Sequence, residues 1–285
     1  MEGSDIQWTN DTFNAVEGCE KVSAGCKNCY AEARNDRFHG GENWGPGSPR
    51  LMRSPAYWNG PKKWNREAEK AGVRRRVFAG SLCDVCEDHP DWIEPRKRLA
   101  GIILSTPWLD WQMVTKRPEN YRRLWDPFFG ETWPANVWAL TSVENQEEAD
   151  RRIPHLLRVP AKVRGLSMEP LLGPVDLSRI PWGGTKTDVL RGWDTPAAGI
   201  HWLIIGGESG SKARPFDLAW AREIIRQAEG SSVAVFMKQL GSRPRQDSLS
   251  ARAQGSIVEL RDSHGGDESE WPIDLRNRRA FPVTP

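Results

Sequence analysis

The chain has 285 residues, 40 Lys and Arg against 38 Asp and Glu, a formal net charge of +2 and 38% hydrophobic residues. That length suits one large α/β domain or two small ones, and the near-balanced charge excludes a global polyanion-binding signature while leaving room for local basic clusters. There is no apolar run of about eighteen residues, and the opening MEGSDIQWTN lacks a basic segment followed by an apolar one, so the expectation is a cytoplasmic protein without membrane span or secretory leader.

Taken in chain order, a first strand is expected before or near Cys19. The stretch GCEKVSAGCKNCY follows, with Cys19, Cys26 and Cys29 separated by six and then two residues. Residues 38–70, rich in Gly, Pro, Trp and basic side chains, read as a long insertion. Short apolar runs then recur at 76–81, 111–115, 137–142, 163–168, 201–206 and 233–238. Their lack of alternation is how strands covered on both faces read. Helical candidates lie between them at 92–104, 118–125, 145–153 and 218–228. The third opens with Glu147 and Glu148 and turns basic further on, as the helix dipole favours.

Alternating strands and helices predict a parallel sheet. Nearly every strand ends in a polar cluster, as expected where carboxyl ends converge on the mouth of a barrel. The fold class is therefore α/β, a partial (β/α) TIM-like barrel over residues 1–240, with insertions around 38–70 and 174–199. Residues 241–285 read as an irregular C-terminal extension packed on it. Most of the fifteen tryptophans are expected in the core and under loops.

Five clustered cysteines in such a chain argue for a metal or reactive thiols rather than a disulfide framework. Three thiolates on one loop can bind three irons of a [4Fe–4S] cluster and leave the fourth iron open to the amine and carboxylate of S-adenosylmethionine. Gly18 and Gly25 let that loop curl. The competing reading is structural zinc. Cys26 with Cys29 and Cys83 with Cys86 form two CxxC knuckles that together make a four-cysteine set, in a zinc-bound interaction protein without catalysis. On the residues alone both readings stay open.

The segment WTNDTFNAVEGCEKVSAGCKNCYAE resembles the opening of a phage-associated radical S-adenosylmethionine family with a Cys-x6-Cys-x2-Cys motif, distantly similar to spore photoproduct lyase. VFAGSLCDV, MVTKRPEN, VWALTSVENQ, GLSMEPLLGPVDL, IIGGESG, FMKQLG and EWPIDLRNRRAFP extend the resemblance over nearly the whole chain. The wider superfamily mostly has a shorter spacing between its first two cysteines. The resemblance implies a partial barrel of the radical S-adenosylmethionine type, with Cys19, Cys26 and Cys29 as cluster ligands.

It also implies roles around the cofactor. Gly80 and Ser81 end the second strand where the superfamily binds the amino group of S-adenosylmethionine, with Asp84 either assisting or capping its loop. Lys116 and Arg117 suit a cofactor carboxylate or a substrate phosphate, or else a charged rim. Ser142 and Glu144 could bond the ribose hydroxyls. Glu169, Glu208 and Lys238 are candidates to position substrate or exchange a proton, against an alternative in which the acids pair with Lys116, Arg117 or Arg214. Cys83 and Cys86 read as buried and structural. The glycine run at 206–210 lacks the Lys-Ser/Thr of a phosphate loop.

The activity implied is reductive cleavage of S-adenosylmethionine to a 5′-deoxyadenosyl radical that modifies or isomerises a base in phage DNA, a hypermodified thymine. Expected partners are DNA or a modified nucleoside and a reductant such as flavodoxin or ferredoxin, in the host cytoplasm if the protein is phage-encoded. Basic stretches at 74–76, 96–98, 117–123 and 276–279, with aromatics nearby, could track a phosphate backbone. A small metabolite, a peptide or tRNA is the alternative substrate.

Overall fold

The structure, a computed structural model, describes residues 3–191, 199–246 and 256–283. Seven strands form its main sheet: β1 (Asp11–Phe13), β2 (Arg75–Ala79), β3 (Leu109–Thr115), β4 (Val137–Ser142), β5 (Val163–Met168), β6 (Trp202–Gly206) and β7 (Ala234–Gln239). They lie side by side in strict chain order, and their described pairings are parallel. A doubly wound sheet reverses its order at a switch point. This one never does, so the fold is α/β of the partial TIM-like barrel kind.

The apolar runs become strands because both of their faces are covered: every residue of β4, β5 and β6 is buried. Helices α1 (Tyr30–His39), α2 (Gly60–Ala71), α3 (Ile93–Leu104), α4 (Tyr121–Phe129), α5 (Gln146–Leu157) and α6 (Leu218–Ala228) lie between them in the chain, two of them between β1 and β2. On α4, Tyr121, Trp125 and Phe129 recur at helical spacing and are buried. On α6 the Asp217 carboxylate caps the first turn by accepting the Ala219 N–H at 2.9 Å. Among the described residues no helix is long and apolar enough to cross a membrane.

The stretch read as an insertion at 38–70 holds regular structure. Leu51–Met52 pairs antiparallel with Val16–Glu17, and α2 follows, burying Pro61, Trp64 and Ala68. Its narrow apolar stripe is hidden in the sequence among lysines and acids. In the second insertion Ile180–Trp182 and Thr185–Thr187 form a small hairpin, while residues 192–198 lie outside the described residues, as do 247–255 and 284–285 of the C-terminal extension.

The chain divides into two compact units, one of Met1–Thr141 with Arg158–Lys162, the other of Ser142–Leu157 with Val163–Pro285. In the first, the Phe13 ring stacks on Tyr57 and meets Trp58 and Trp111 edge-on at 5.2 and 5.8 Å. In the second, Trp202, Phe236 and Phe281 cluster. The last of these brings the extension onto the sheet, where the Met237 N–H donates to the Arg278 carbonyl at 2.6 Å. The tryptophans do fill the core: Trp58, Trp92, Trp111, Trp125, Trp138, Trp202 and Trp271 are all fully buried.

Candidate functional site

The cysteine loop leaves the carboxyl end of β1. Gly18 adopts φ 121°, and a Cβ there would lie 2.3 Å from the Asn43 carbonyl oxygen, so only glycine fits. Its N–H donates to the Leu82 carbonyl at 3.1 Å, and the next carbonyl, of Cys19, accepts the Gly45 N–H at 2.9 Å. Cys26 closes a short 3-10 turn over Ala24–Cys26, and Cys29 is the N-cap residue of α1. These three thiols are partly exposed, whereas Cys83 and Cys86 are buried, and all five are free.

Burial pushes the Cys19 thiol up to about 12, helped by Asp84 and Glu87 and opposed by Arg117. Burial also raises Cys29, opposed by the first-turn N–H groups of α1 at Glu32 and Ala31 and by Lys116. Burial drives Cys83 and Cys86 well above the ordinary thiol range, and Cys83 donates weakly to Asn14 Oδ1 at 3.9 Å.

Among the described residues no group of three or more His, Cys, Asp or Glu side chains gathers as it would around a single metal ion. A cubane spreads its thiolates further apart than one ion does, because each binds a different iron. The donor chemistry is of the kind a cluster takes: three soft thiols on one loop, in partly exposed residues, with two cations beside them that would offset the negative charge of a thiolate-bound cluster.

Those cations come from the end of β3. Arg117 is buried, and its Nη1 lies 3.1 Å from Asp84 Oδ2 and 3.8 Å from Cys19 Sγ. Its Nη2 donates to the Glu20 carbonyl at 3.0 Å and lies 3.6 Å from Glu87 Oε1. Burial works against the guanidinium charge, but Asp84, Cys19 and Glu87 outweigh it and hold the group more basic than usual. Asp84 accepts from the Thr115 hydroxyl at 2.5 Å and from the Lys116 and Cys86 N–H groups at 2.9 Å each, besides Arg117. It is an anchor that fixes the cation against the cysteine loop.

Two further residues build this corner and were not singled out in the sequence. Glu87 is paired in the interior with Arg50, Nε to Oε2 at 2.8 Å and Nη2 to Oε1 at 2.9 Å. Arg50 also donates to the Ser48 carbonyl at 2.6 Å and the Asn43 carbonyl at 3.3 Å. It thereby ties the segment after α1 to the segment after β2.

At the end of β2, Gly80 has φ 97°, and a Cβ there would meet Val85 Cγ1 at 3.0 Å and the Cys83 carbonyl at 3.1 Å. Asn14 donates to Ser81 Oγ at 2.9 Å and accepts the Leu82 N–H at 2.7 Å. The hydroxyl of Tyr30, directly after Cys29, donates to the Ser81 carbonyl at 2.6 Å. Asn14 carried no sequence signal beyond its place just after a short strand, whereas Tyr30 is the aromatic directly after the third cysteine.

In the second unit Glu144 is fully buried, and Arg152 of α5 donates to its Oε2 at 2.6 Å and to the Ser142 carbonyl at 3.0 Å. Glu169 and Lys238, two of the proposed proton carriers, form an ion pair with each other. The bare face of Gly206 lies against Glu169, since a Cβ there would be 3.4 Å from Glu169 Cγ. Glu208 takes Arg214 through Nη2 at 2.7 Å and Nε at 3.0 Å, the ion-pair alternative of the sequence reading. The glycine run at 206–210 makes a strand-end loop in which the Gly207 N–H donates to the Gln239 carbonyl at 3.1 Å.

About half of the cations in the basic stretches are paired with carboxylates. Arg74 pairs with Asp110, Arg75 with Asp11 and Glu67, Arg122 with Asp126, Arg123 with Asp88 and Arg279 with Glu268. Arg96 is buried and donates to the Glu87 carbonyl.

A family model described as a protein of unknown function (DUF5131) matches residues 3–266. No curated protein and no solved structure matches the chain.

Proposed function

The chain belongs to the DUF5131 family, and we propose that it is a radical S-adenosylmethionine enzyme whose [4Fe–4S] cluster is held by Cys19, Cys26 and Cys29. The observation that carries this reading is the sorting of the five free thiols. Three are partly exposed on one loop at the carboxyl end of a parallel strand, and two are buried. Active sites of parallel α/β barrels sit at that end. When bound, the cluster and S-adenosylmethionine supply a 5′-deoxyadenosyl radical able to take hydrogen from an unactivated carbon.

The chain's own residues do the rest. Arg117, at the end of β3, steadies the loop and is held there by Asp84 from the segment after β2. Tyr30 and Asn14 hold the end of β2, where Gly80 and Ser81 offer backbone groups for the amino group of the cofactor. Lys238 and Glu169 pair with each other, so a substrate group displacing either one meets the charge of the other.

The substrate proposed is a hypermodified thymine in phage DNA, altered on its side group, following the resemblance stated above. A small metabolite or nucleoside is the second reading. It is favoured by the carboxylate pairing of Arg74, Arg75, Arg122, Arg123 and Arg279, which leaves fewer cations for a phosphate track.

The test is anaerobic reconstitution with iron and sulfide, reduction by dithionite, addition of S-adenosylmethionine, and chromatography for 5′-deoxyadenosine with and without modified DNA. An iron–sulfur spectrum with nucleoside release is expected. Colourless zinc protein, or a cluster that never cleaves S-adenosylmethionine, refutes the reading.

A further inference from the structure

We infer that Arg117 is a positioning residue that sets the reduction potential of the cluster through the sulfur of Cys19. The inference rests on the cluster reading above and goes beyond it, because the sequence reading left Arg117 to a cofactor carboxylate, a substrate phosphate or a charged rim. The guanidinium instead has its terminal nitrogens engaged inside the protein. Nη1 faces Asp84 Oδ2 at 3.1 Å and Cys19 Sγ at 3.8 Å, and Nη2 donates to the Glu20 carbonyl at 3.0 Å. Two of those groups belong to the cysteine loop itself, so the fork grips Cys19 and its neighbour from one side.

Its surroundings make the charge count. The Arg117 side chain is 10% exposed, and Asp84 and Glu87 are 7% and 4% exposed, so their fields are weakly screened. Arg50 already engages both oxygens of Glu87. Within this cluster of charges Arg117 is the group that reaches the sulfur, and Asp84 is the group that aims it. Hydrogen bonds and positive charge at a ligating sulfur favour the reduced cluster, while negative charge disfavours it. The step concerned is one-electron reduction by an external low-potential donor, in which no bond forms or breaks.

The experiment uses the full chain, reconstituted anaerobically as wild type, Arg117→Gln, Arg117→Lys and Asp84→Asn. Each sample is assayed for iron and sulfide, and its midpoint potential is measured by titration with electron paramagnetic resonance detection. Arg117→Gln is expected to lower the equilibrium constant for reduction about tenfold, about 59 mV for a one-electron couple. Arg117→Lys recovers part of that shift, since it restores charge without the fork. Asp84→Asn moves the potential the other way by removing the opposing charge.

Equal potentials in all four samples at full iron content overturn the inference and leave the cluster reading standing. If Arg117→Gln alone fails to hold iron, the other two variants decide by the same criterion. A wild-type chain that forms no cluster defeats the cluster reading itself and this inference with it.

Discussion

Glu144 offers a sharp test of whether a strand-end acid serves the fold or the cofactor. Its side chain is 0% exposed and that of Arg152 is 1% exposed. Replacing Arg152 by Met roughly keeps the volume and removes the carboxylate's cation, and breaking a buried pair in this way costs about 3–5 kcal/mol. Glu144→Gln is milder, because Arg152 keeps Glu148 Oε2 at 3.1 Å and the Ser142 carbonyl at 3.0 Å. The loss there is roughly 1–3 kcal/mol, the cost of one weakened charged hydrogen bond.

The double variant should lose less than the sum of the two, with a coupling of about 2 kcal/mol. Urea unfolding followed by circular dichroism measures all three, and calorimetric titration with S-adenosylmethionine runs alongside. A Glu144→Gln protein of unchanged stability that loses cofactor affinity would refute the structural assignment and return Glu144 to the ribose.

Three further outcomes follow from the same geometry. Alanine at Cys19, Cys26 or Cys29 abolishes iron binding after anaerobic reconstitution. Cys83→Ala retains iron and loses about 1–2 kcal/mol of stability from the vacated core, and iron loss there would instead favour the four-cysteine zinc set. Gly18→Ala forces a Cβ to within 2.3 Å of a backbone oxygen at positive φ, so iron per chain should fall well below wild type while far-UV dichroism is retained. Any DNA affinity should fall only shallowly with salt, with a slope equivalent to about two phosphate contacts or fewer. A steep slope in a fluorescence anisotropy titration would show that cations outside the paired stretches track the backbone.

The strands were legible because their signal is local and redundant. An unbroken apolar run such as VWALTS has no other use than a strand covered on both faces, and 137–142 matches the observed Val137–Ser142. The helix Gly60–Ala71 was not legible, since only Pro61, Trp64 and Ala68 mark its buried side. The basic stretches looked like a polyanion surface because their partners lie far away in sequence: Arg74 finds Asp110, Arg75 finds Asp11 and Arg123 finds Asp88. For the same reason Arg50 and Glu87 escaped notice, although together they join two segments at the cysteine loop.

The candidate site residues share one property that bears on how any ligand must bind. Asp84 holds Arg117, Glu144 holds Arg152, Glu169 holds Lys238 and Glu208 holds Arg214. Each acid at a strand end is thus answered by a cation of the same chain. A ligand that took one of these carboxylates would have to displace its cation from that acid, which is costly for the interior pairs. At the glycine-bearing ends of β2 and β6 the backbone is itself engaged, the Gly80 N–H by the Phe13 carbonyl and the Gly206 carbonyl by the Leu171 N–H, each at 3.0 Å. Of the four pairs, Glu169 with Lys238 is the one whose side chains are both more than one-tenth exposed, and Glu169 lies against the bare face of Gly206. That makes it the pair most readily opened by a substrate, and the one whose substitution should alter turnover more than stability.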